Sequence, residues 1–519
     1  MKIRIPDILL AASTGVMTAL AFPKIRLFYL GWISLIPLIF LLFKTKPGKS
    51  FFLGLISGFC FYALLLYWIP AVPIHYGGLS LGLSVLIYLL LVLFLALFWG
   101  IFALITSIFS NSFPKLIFIL IPFIWVSLEF IMTYLFTGFP WGLLGASQYK
   151  NIIFIQFASL TGVYGLSFVM VLFQSLLVFS TKIKHKSAFI SITLLLATAF
   201  HLGGFLSLKK SGPSQETFTA SLIQGNTPAN TDFSTQSFEK TYKMFQKYVY
   251  LSRKACEKGA ELIIWPELSV PMCFTCDFEP YTEFSDQLFE FSKETGCTLL
   301  LGTSEISYTE QNARFYNAAV CLDPNHSLSF YYKMHLVPFG EYTPYKKIFS
   351  FISQFTHAIG ELTPGKNHKL HKFKDISFGS PICYEVIFPS LVRKFVKMGA
   401  EFLVTITNDG WYGTSSAPYQ HFSLAVLRAV ENRRYLLRSA TTGISGVIDP
   451  YGRIISKSKL HTTTFINAKV TPRKPLTFYT KYGDILPYSG LTLSFIFLIL
   501  SIVNKNERKR KSKVKKRSR

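Results

Sequence analysis

The chain has 519 residues, room for two or three domains, and half are hydrophobic while only 15% are charged, well under the quarter or so usual in soluble domains. The apolar excess sits in residues 1–207 and again near 487–503, which excludes a wholly soluble protein and points to a bilayer. The net charge of +26 does not signal nucleic-acid binding. The tail Lys505–Arg519 alone holds ten Lys/Arg, and the other basic clusters lie in short loops between apolar runs, where such residues fix topology and meet anionic headgroups.

A bilayer span needs roughly 20 predominantly apolar residues. Hydropathy gives eight candidates, at 6–23, 27–44, 51–71, 79–110, 115–136, 160–180, 187–206 and 487–504. The first, with Lys2 and Arg4 before it and Ala19 and Ala21 at its end, has the outline of a signal peptide; six more spans follow at once, which favours a retained helix. Inside the fifth span stands Glu129, and an ionisable group at that depth is expected to face the bundle interior or a polar cavity. Just after it, Thr137-Gly-Phe-Pro-Trp-Gly142 reads either as a helix end in an aromatic belt or as a substrate-facing surface.

Alternate loops carry Lys44/Lys46/Lys49, Lys115, Lys182/Lys184/Lys186 and the basic tail, and outweigh the opposite set. The positive-inside rule then puts both termini in the cytoplasm and residues 208–486 outside, which in a bacterium means the periplasmic face of the inner membrane. The expected organisation is a seven-span region at 1–207, an exported domain at 208–486, an eighth span at 487–504 and a cytoplasmic tail at 505–519.

Residues 208–486 alternate strand and helix patterns. Strands are predicted at Phe218–Gln224, Leu262–Trp265, Thr298–Gly302, Asn317–Leu322, Ser329–Tyr332, Ile376–Cys383, Phe402–Thr407 and Gly443–Asp449, with helices at Phe238–Lys258 and Tyr281–Thr295. That alternation predicts an α/β domain of sheets covered by helices. The seven cysteines, odd in number and scattered, do not form a disulfide framework; Cys273-Phe-Thr-Cys276 reads as a structural or local pair before a zinc site.

Three stretches carry polar residues directly after buried-looking strands, where α/β folds build their sites. They are Leu262-Ile-Ile-Trp-Pro-Glu267, Tyr332-Lys333-Met-His335-Leu-Val-Pro-Phe-Gly340-Glu341 and Pro381-Ile-Cys383-Tyr384-Glu385. A thiol is the best side-chain nucleophile near neutral pH once a base or a cation activates it. Glu267 supplies a base, and Lys333 a cation for the thiol and for an oxyanion. A Cys–His pair, with His335 or His421 as base, is the rival set, and residue types alone leave both open.

These stretches, with Gln224-Gly-Asn226 and Thr407-Asn-Asp-Gly-Trp-Tyr-Gly413, resemble the nitrilase superfamily. The insertion of that domain between spans seven and eight, with Thr137-Gly-Phe-Pro-Trp141 and Arg428-Ala-Val-Glu-Asn-Arg-Arg434, is similar to its membrane-embedded branch, the apolipoprotein N-acyltransferases, over nearly the whole chain. The resemblance implies a helical membrane bundle plus an αββα sandwich. It also implies a catalytic Glu267–Lys333–Cys383 triad, with Glu341, Tyr384 and Glu385 around it and no metal or organic cofactor. The implied partners are a membrane phospholipid that acylates Cys383 and the diacylglyceryl-cysteine N-terminus of an apolipoprotein that accepts the chain. The long basic tail and Cys273/Cys276 depart from the pattern. Two other readings are weighed beside it: a membrane-anchored amidase or nitrilase on a small exported substrate, and a transporter with a non-catalytic outer domain. The stretch after Glu341, with Tyr342, Tyr345, Lys346, Lys347, Ile348, Phe349 and Phe351, is the expected lipid-meeting surface.

Overall fold

The computed structural model describes residues 4–183, 186–209, 216–228, 238–270, 273–276, 282–309, 312–345 and 361–517. Of the aromatic stretch expected to meet lipid, residues 346–360 lie outside the described residues. The chain forms two compact units: Met1–Tyr67 with Val85–Lys209 and Asp484–Arg519, and Trp68–Ser84 with Lys210–Gly483.

The first unit is helical. Among the described residues six helices are long and apolar enough to cross a membrane: Pro47–Leu65, Leu81–Ser112, Ile117–Tyr134, Ala158–Ser180, Phe189–Lys209 and Ile485–Glu507. The first helix is shorter, Ile5–Leu20, and the second candidate span is broken into a 3₁₀ turn, Phe28–Trp32, and a helix, Ile36–Leu42. The break is stabilised by a side chain from another helix. Gln174 accepts from Leu35 N at 2.6 Å and donates to Gly31 O at 3.1 Å, satisfying backbone groups that an apolar environment would penalise. Ile5–Leu20 and Pro47–Leu65 approach closely because Gly15 has no side chain where it meets Ser57 O, and Ser57 Oγ donates to Ala11 O at 2.7 Å. Leu195 on Phe189–Lys209 is 70% exposed, with Leu194 and Leu202 also outward, as a lipid-facing helix requires.

Glu129 faces inward. Its Oε1 accepts from Trp125 Nε1 at 2.9 Å and from Leu144 N at 2.7 Å, so it holds the chain where it turns back after Thr137-Gly-Phe-Pro-Trp141. Trp141 is buried. Trp141 therefore packs inside the unit and does not sit in an aromatic belt.

The second unit is a sandwich of two six-stranded sheets. The strands are β1 (Phe218–Gln224), β2 (Leu262–Ile264), β3 (Thr298–Thr309), β4 (Asn312–Leu322), β5 (Leu328–Tyr332), β6 (His371–Phe373), β7 (Ile376–Gly379), β8 (Phe402–Thr407), β9 (Leu436–Ala440), β10 (Gly446–Ile448), β11 (Ile454–Lys457) and β12 (Thr464–Val470). One sheet runs β12-β1-β2-β3-β4-β5 and the other β11-β10-β9-β8-β7-β6. Each has a parallel core of three strands joined by helices. Phe238–Glu257 and Thr282–Thr295 connect β1, β2 and β3, while Pro389–Lys397 and Ala417–Asn432 connect β7, β8 and β9. Short parallel strands demand such crossovers, and helices with one apolar face then cover the sheets. The inner faces meet through Phe218, which lies 4.7 Å from Phe373 and 5.1 Å from Phe402, and through Ser439 Oγ, which reaches Ile223 O at 2.9 Å. This is the αββα architecture that the resemblance implies.

Two features depart from the sequence reading. Trp68–Ser84, read as the end of the span 51–71, a loop and the beginning of the span 79–110, packs with the second unit. Trp68 Nε1 donates to Gln420 Oε1 at 3.2 Å and Tyr76 OH donates to Gly410 O at 2.9 Å. The cysteines also form two disulfides, Cys256–Cys297 and Cys273–Cys276. The first pair is a correction to the reading of scattered cysteines: its members are 41 residues apart, one in the helix before β2 and the other just before β3, and only the tertiary fold brings them together.

Candidate active site

The site is built where strands end. Pro266 cannot extend the ladder of β2, so the chain leaves the sheet and Glu267 follows at the strand's carboxyl end. β5 runs parallel to β3, since two antiparallel pairings separate them, and places Lys333 at the same edge. In the second sheet, β7 delivers Cys383 and β8 delivers Asn408.

Lys333 Nζ lies 3.0 Å from Glu267 Oε1 and 2.7 Å from Glu341 Oε1, and all three side chains are buried. Asn317 Nδ2 bridges the two carboxylates at 2.8 and 3.1 Å. Backbone amides complete the set: Asn408 N donates to Glu267 Oε2 at 2.8 Å and Val337 N to Glu341 Oε2 at 2.7 Å. Each carboxylate therefore has fixed donors, and the ammonium is pinned between two anions. Burial would raise the Glu267 carboxyl, but Lys333, Asn317 and the Cys383 thiol hold it below its ordinary range. Burial would lower Lys333, but Glu267 and Glu341 keep its ammonium charged far above neutral pH.

Cys383 is 5% exposed and has φ +49°, a left-handed backbone that a non-glycine residue holds at a cost of about 1–3 kcal/mol unless its surroundings impose it. Thr407 Oγ1 donates to its Sγ at 3.1 Å. Burial pushes the thiol up, Glu267 adds to this, and Lys333 opposes it. The resting group is the neutral thiol. Glu267 adjoins it and is in position to accept a proton from the thiol.

Of the surrounding residues, Glu341 touches Lys333 directly. Tyr384 is buried with its ring 5.3 Å from Phe388 and 5.7 Å from His335. Glu385 lies in the Cys383 turn itself. Its carboxyl accepts from Tyr331 OH at 2.8 Å, Met334 N at 2.7 Å, His335 N at 3.1 Å and Ile382 N at 2.7 Å, tying the Cys383 turn to the Lys333 loop. Burial raises its carboxyl to about 7 against those donors. Glu385→Gln would set an amide N–H against at least one backbone N–H. The expected cost is about 1–3 kcal/mol, read as a lower melting temperature together with slower chemistry; an unchanged melting temperature would show that the tie is dispensable.

The rival bases lie elsewhere. His335 has its ring 3.8 Å from that of Phe388, and His421 points Nε2 at the carbonyl oxygen of Cys383, 3.1 Å away. Residues to which the sequence reading gave no role are Asn317, Thr407, Asp409 and Arg438; His421, weighed there as a rival base, stands instead with Asp409 and Arg438 in a buried set. Asn317 had a faint signal, a lone amide entering the apolar run to Leu322.

The carbon-nitrogen hydrolase family model matches residues 219–474, and the model of the apolipoprotein N-acyltransferase N-terminal domain matches residues 14–176. The apolipoprotein N-acyltransferase of Geobacter metallireducens is 35% identical over 513 residues, 96% of each chain. That of Wigglesworthia glossinidia brevipalpis is 31% identical over 487 residues, 91% of this chain and 93% of its own. The enzyme of Rickettsia typhi is 32% identical over 400 residues, 75% of this chain and 76% of its own. The amidase and transporter readings are not favoured. With a long helical N-terminal region, an inserted carbon-nitrogen hydrolase domain and relatives aligned from end to end, the chain belongs to the apolipoprotein N-acyltransferase family.

Proposed function

We propose that Cys383 is the nucleophile, Glu267 its base and Lys333 the oxyanion-stabilising cation of an acyltransferase that N-acylates the lipid-modified N-terminal cysteine of apolipoproteins. The observation that carries this reading is the ion pair of Lys333 with Glu267, buried at the strand ends beside the Cys383 thiol.

In the first half-reaction the Cys383 sulfur attacks the ester carbonyl of a membrane phospholipid, and its proton passes to Glu267. Lys333 and a backbone N–H beside Cys383 stabilise the oxyanion. The ester C–O bond breaks, the lysophospholipid hydroxyl takes the proton from Glu267, and a thioester remains. In the second, the α-amine of the diacylglyceryl-cysteine attacks the thioester and gives a proton to Glu267. The C–S bond breaks, and the thiol is restored. Glu341 keeps Lys333 in place, Glu385 fixes the nucleophile turn, and Tyr384 walls the site. The thioester stores the acyl group's reactivity between the two steps, so the residues present suffice for the chemistry.

Incubation with phospholipid vesicles followed by intact-mass and peptide analysis tests the reading. The expected result is a single acyl adduct on Cys383, discharged by a diacylglyceryl-cysteine peptide; an adduct elsewhere, or none, overturns it.

The loop charges support a bacterial inner-membrane location with the catalytic unit on the periplasmic face. Protease protection in sealed cells is expected to leave the Lys505–Arg519 tail inaccessible from outside, and removal of most of that tail to leave transfer intact. A tail cleaved from outside would reverse the arrangement.

A further inference from the structure

Behind Cys383, on the side served by β8 and β9, lies a charged cluster that the acyl-transfer steps do not use. Arg438 Nη2 reaches Asp409 Oδ2 at 2.8 Å and Oδ1 at 3.0 Å, and it also lies 3.0 Å from His421 Nδ1. His421 Nδ1 is 3.0 Å from Asp409 Oδ1, and Thr407 Oγ1 is 3.1 Å from the same oxygen. All four side chains are fully buried or nearly so. The cluster meets the nucleophile at two points: His421 Nε2 at the Cys383 carbonyl and Thr407 Oγ1 at the Cys383 sulfur. A carbonyl oxygen only accepts, so Nε2 carries a hydrogen and His421 is a donor there.

We propose that Asp409, Arg438 and His421 form a positioning relay that clamps the Cys383 carbonyl and so holds the nucleophile in its left-handed conformation, with His421 as the residue that makes the contact. The peptide plane gives this clamp its consequence. In a trans peptide the C=O and the following N–H point in opposite directions. Pinning the Cys383 oxygen to His421 therefore aims the Tyr384 N–H away from His421, and the same contact fixes where Sγ stands relative to Glu267 and Lys333. Asp409 orients Arg438, whose Nη2 donates to His421 Nδ1, and Thr407 stands between the same carboxylate and the thiol. His421 thus acts through Cys383; it is a positioning residue and not the base of a Cys–His pair. The inference rests on Cys383 being the nucleophile.

Glutamine and asparagine at position 421 separate the clamp from mere filling of space. The amide nitrogen of glutamine reaches about as far as Nε2, whereas that of asparagine stops near Nδ1. His421→Gln is expected to keep most of the maximal rate of thioester formation on vesicle phospholipid. His421→Asn is expected to lose about 10²-fold, the cost of an ångström-scale misplacement of reacting groups. Half-saturating phospholipid should be unchanged in both, as should the pH midpoint for alkylation of Cys383 by iodoacetamide. Equal rates in the two variants, whether both high or both low, would overturn the relay. A shifted alkylation midpoint would also overturn it, by making His421 part of the thiol's proton equilibrium. If the unaltered protein forms no Cys383 adduct, the nucleophile assignment fails instead, and the parallel wild-type measurement tells the two failures apart.

Discussion

Cys383→Ala is expected to reduce both acyl-enzyme formation and transfer to background while the protein still folds and inserts. Every bond made or broken in the proposed sequence passes through this sulfur, so no residual route exists within the site. The loss of fold should be small, because the change removes one buried sulfur, and Thr407 Oγ1 still has Asp409 Oδ1 at 3.1 Å as a hydrogen-bond acceptor. Release of the left-handed φ offsets little, since alanine is strained there too. Cys383→Ser keeps the geometry but replaces the thiol by a much weaker acid that a low-pKa carboxylate is poorly matched to deprotonate, so at most a trace of acylation is expected. The measurement is intact mass after exposure to phospholipid, with the other free cysteines, Cys60 and Cys321, replaced by alanine in parallel. Near-normal transfer in Cys383→Ala, or an adduct that moves with Cys60 or Cys321, would sink the assignment.

Glu267 and Lys333 carry the next largest effects, and they should differ in kind. Glu267→Gln keeps the shape and removes the proton acceptor, so thioester formation should fall by about 10²–10⁴. Its amide N–H must also face Lys333 or the Asn408 N–H, so stability should fall by about 1–3 kcal/mol. Lys333→Ala removes the cation between two buried carboxylates, which should slow the first half-reaction by about 10²–10³ through the lost oxyanion partner. It should also destabilise the unit by about 3–5 kcal/mol, because Glu267 and Glu341 are left facing each other uncompensated. Adding Glu341→Gln to Lys333→Ala removes one of those charges. The double variant should regain stability and stay inactive, which separates the structural from the chemical role of the lysine. Normal accumulation of thioester in either single variant would remove that residue from its role. The Glu267 carboxyl is held below its ordinary 4.5. Its contribution to stability is therefore present in full above about pH 4.5 and is lost as the pH falls through the lowered value.

Hydropathy and strand-end chemistry made much of this protein legible before any coordinates. β1 and β8 fall where the alternation of apolar residues places them, and Glu267, Lys333 and Cys383 stand out because a strand that ends in a polar residue is a local pattern. The strand β9 was not legible, since Leu436-Leu-Arg-Ser-Ala440 holds a charge at its centre; Arg438 is buried only because Asp409, 29 residues away, neutralises it. The same holds for Asn317, whose partners Glu267 and Glu341 lie 50 and 24 residues off, and for Gln174, which reaches 139 residues back to satisfy a break in the second apolar segment. Hydropathy is a property of neighbours along the chain, and it marked the apolar helices and the α/β unit between them, while the strand-end pattern marked Glu267, Lys333 and Cys383 as candidates. Which buried polar groups satisfy one another is a property of neighbours in space. Only the tertiary structure decided that a histidine, an arginine and an aspartate stand behind Cys383, because pairing buried charges requires side chains that the sequence sets far apart.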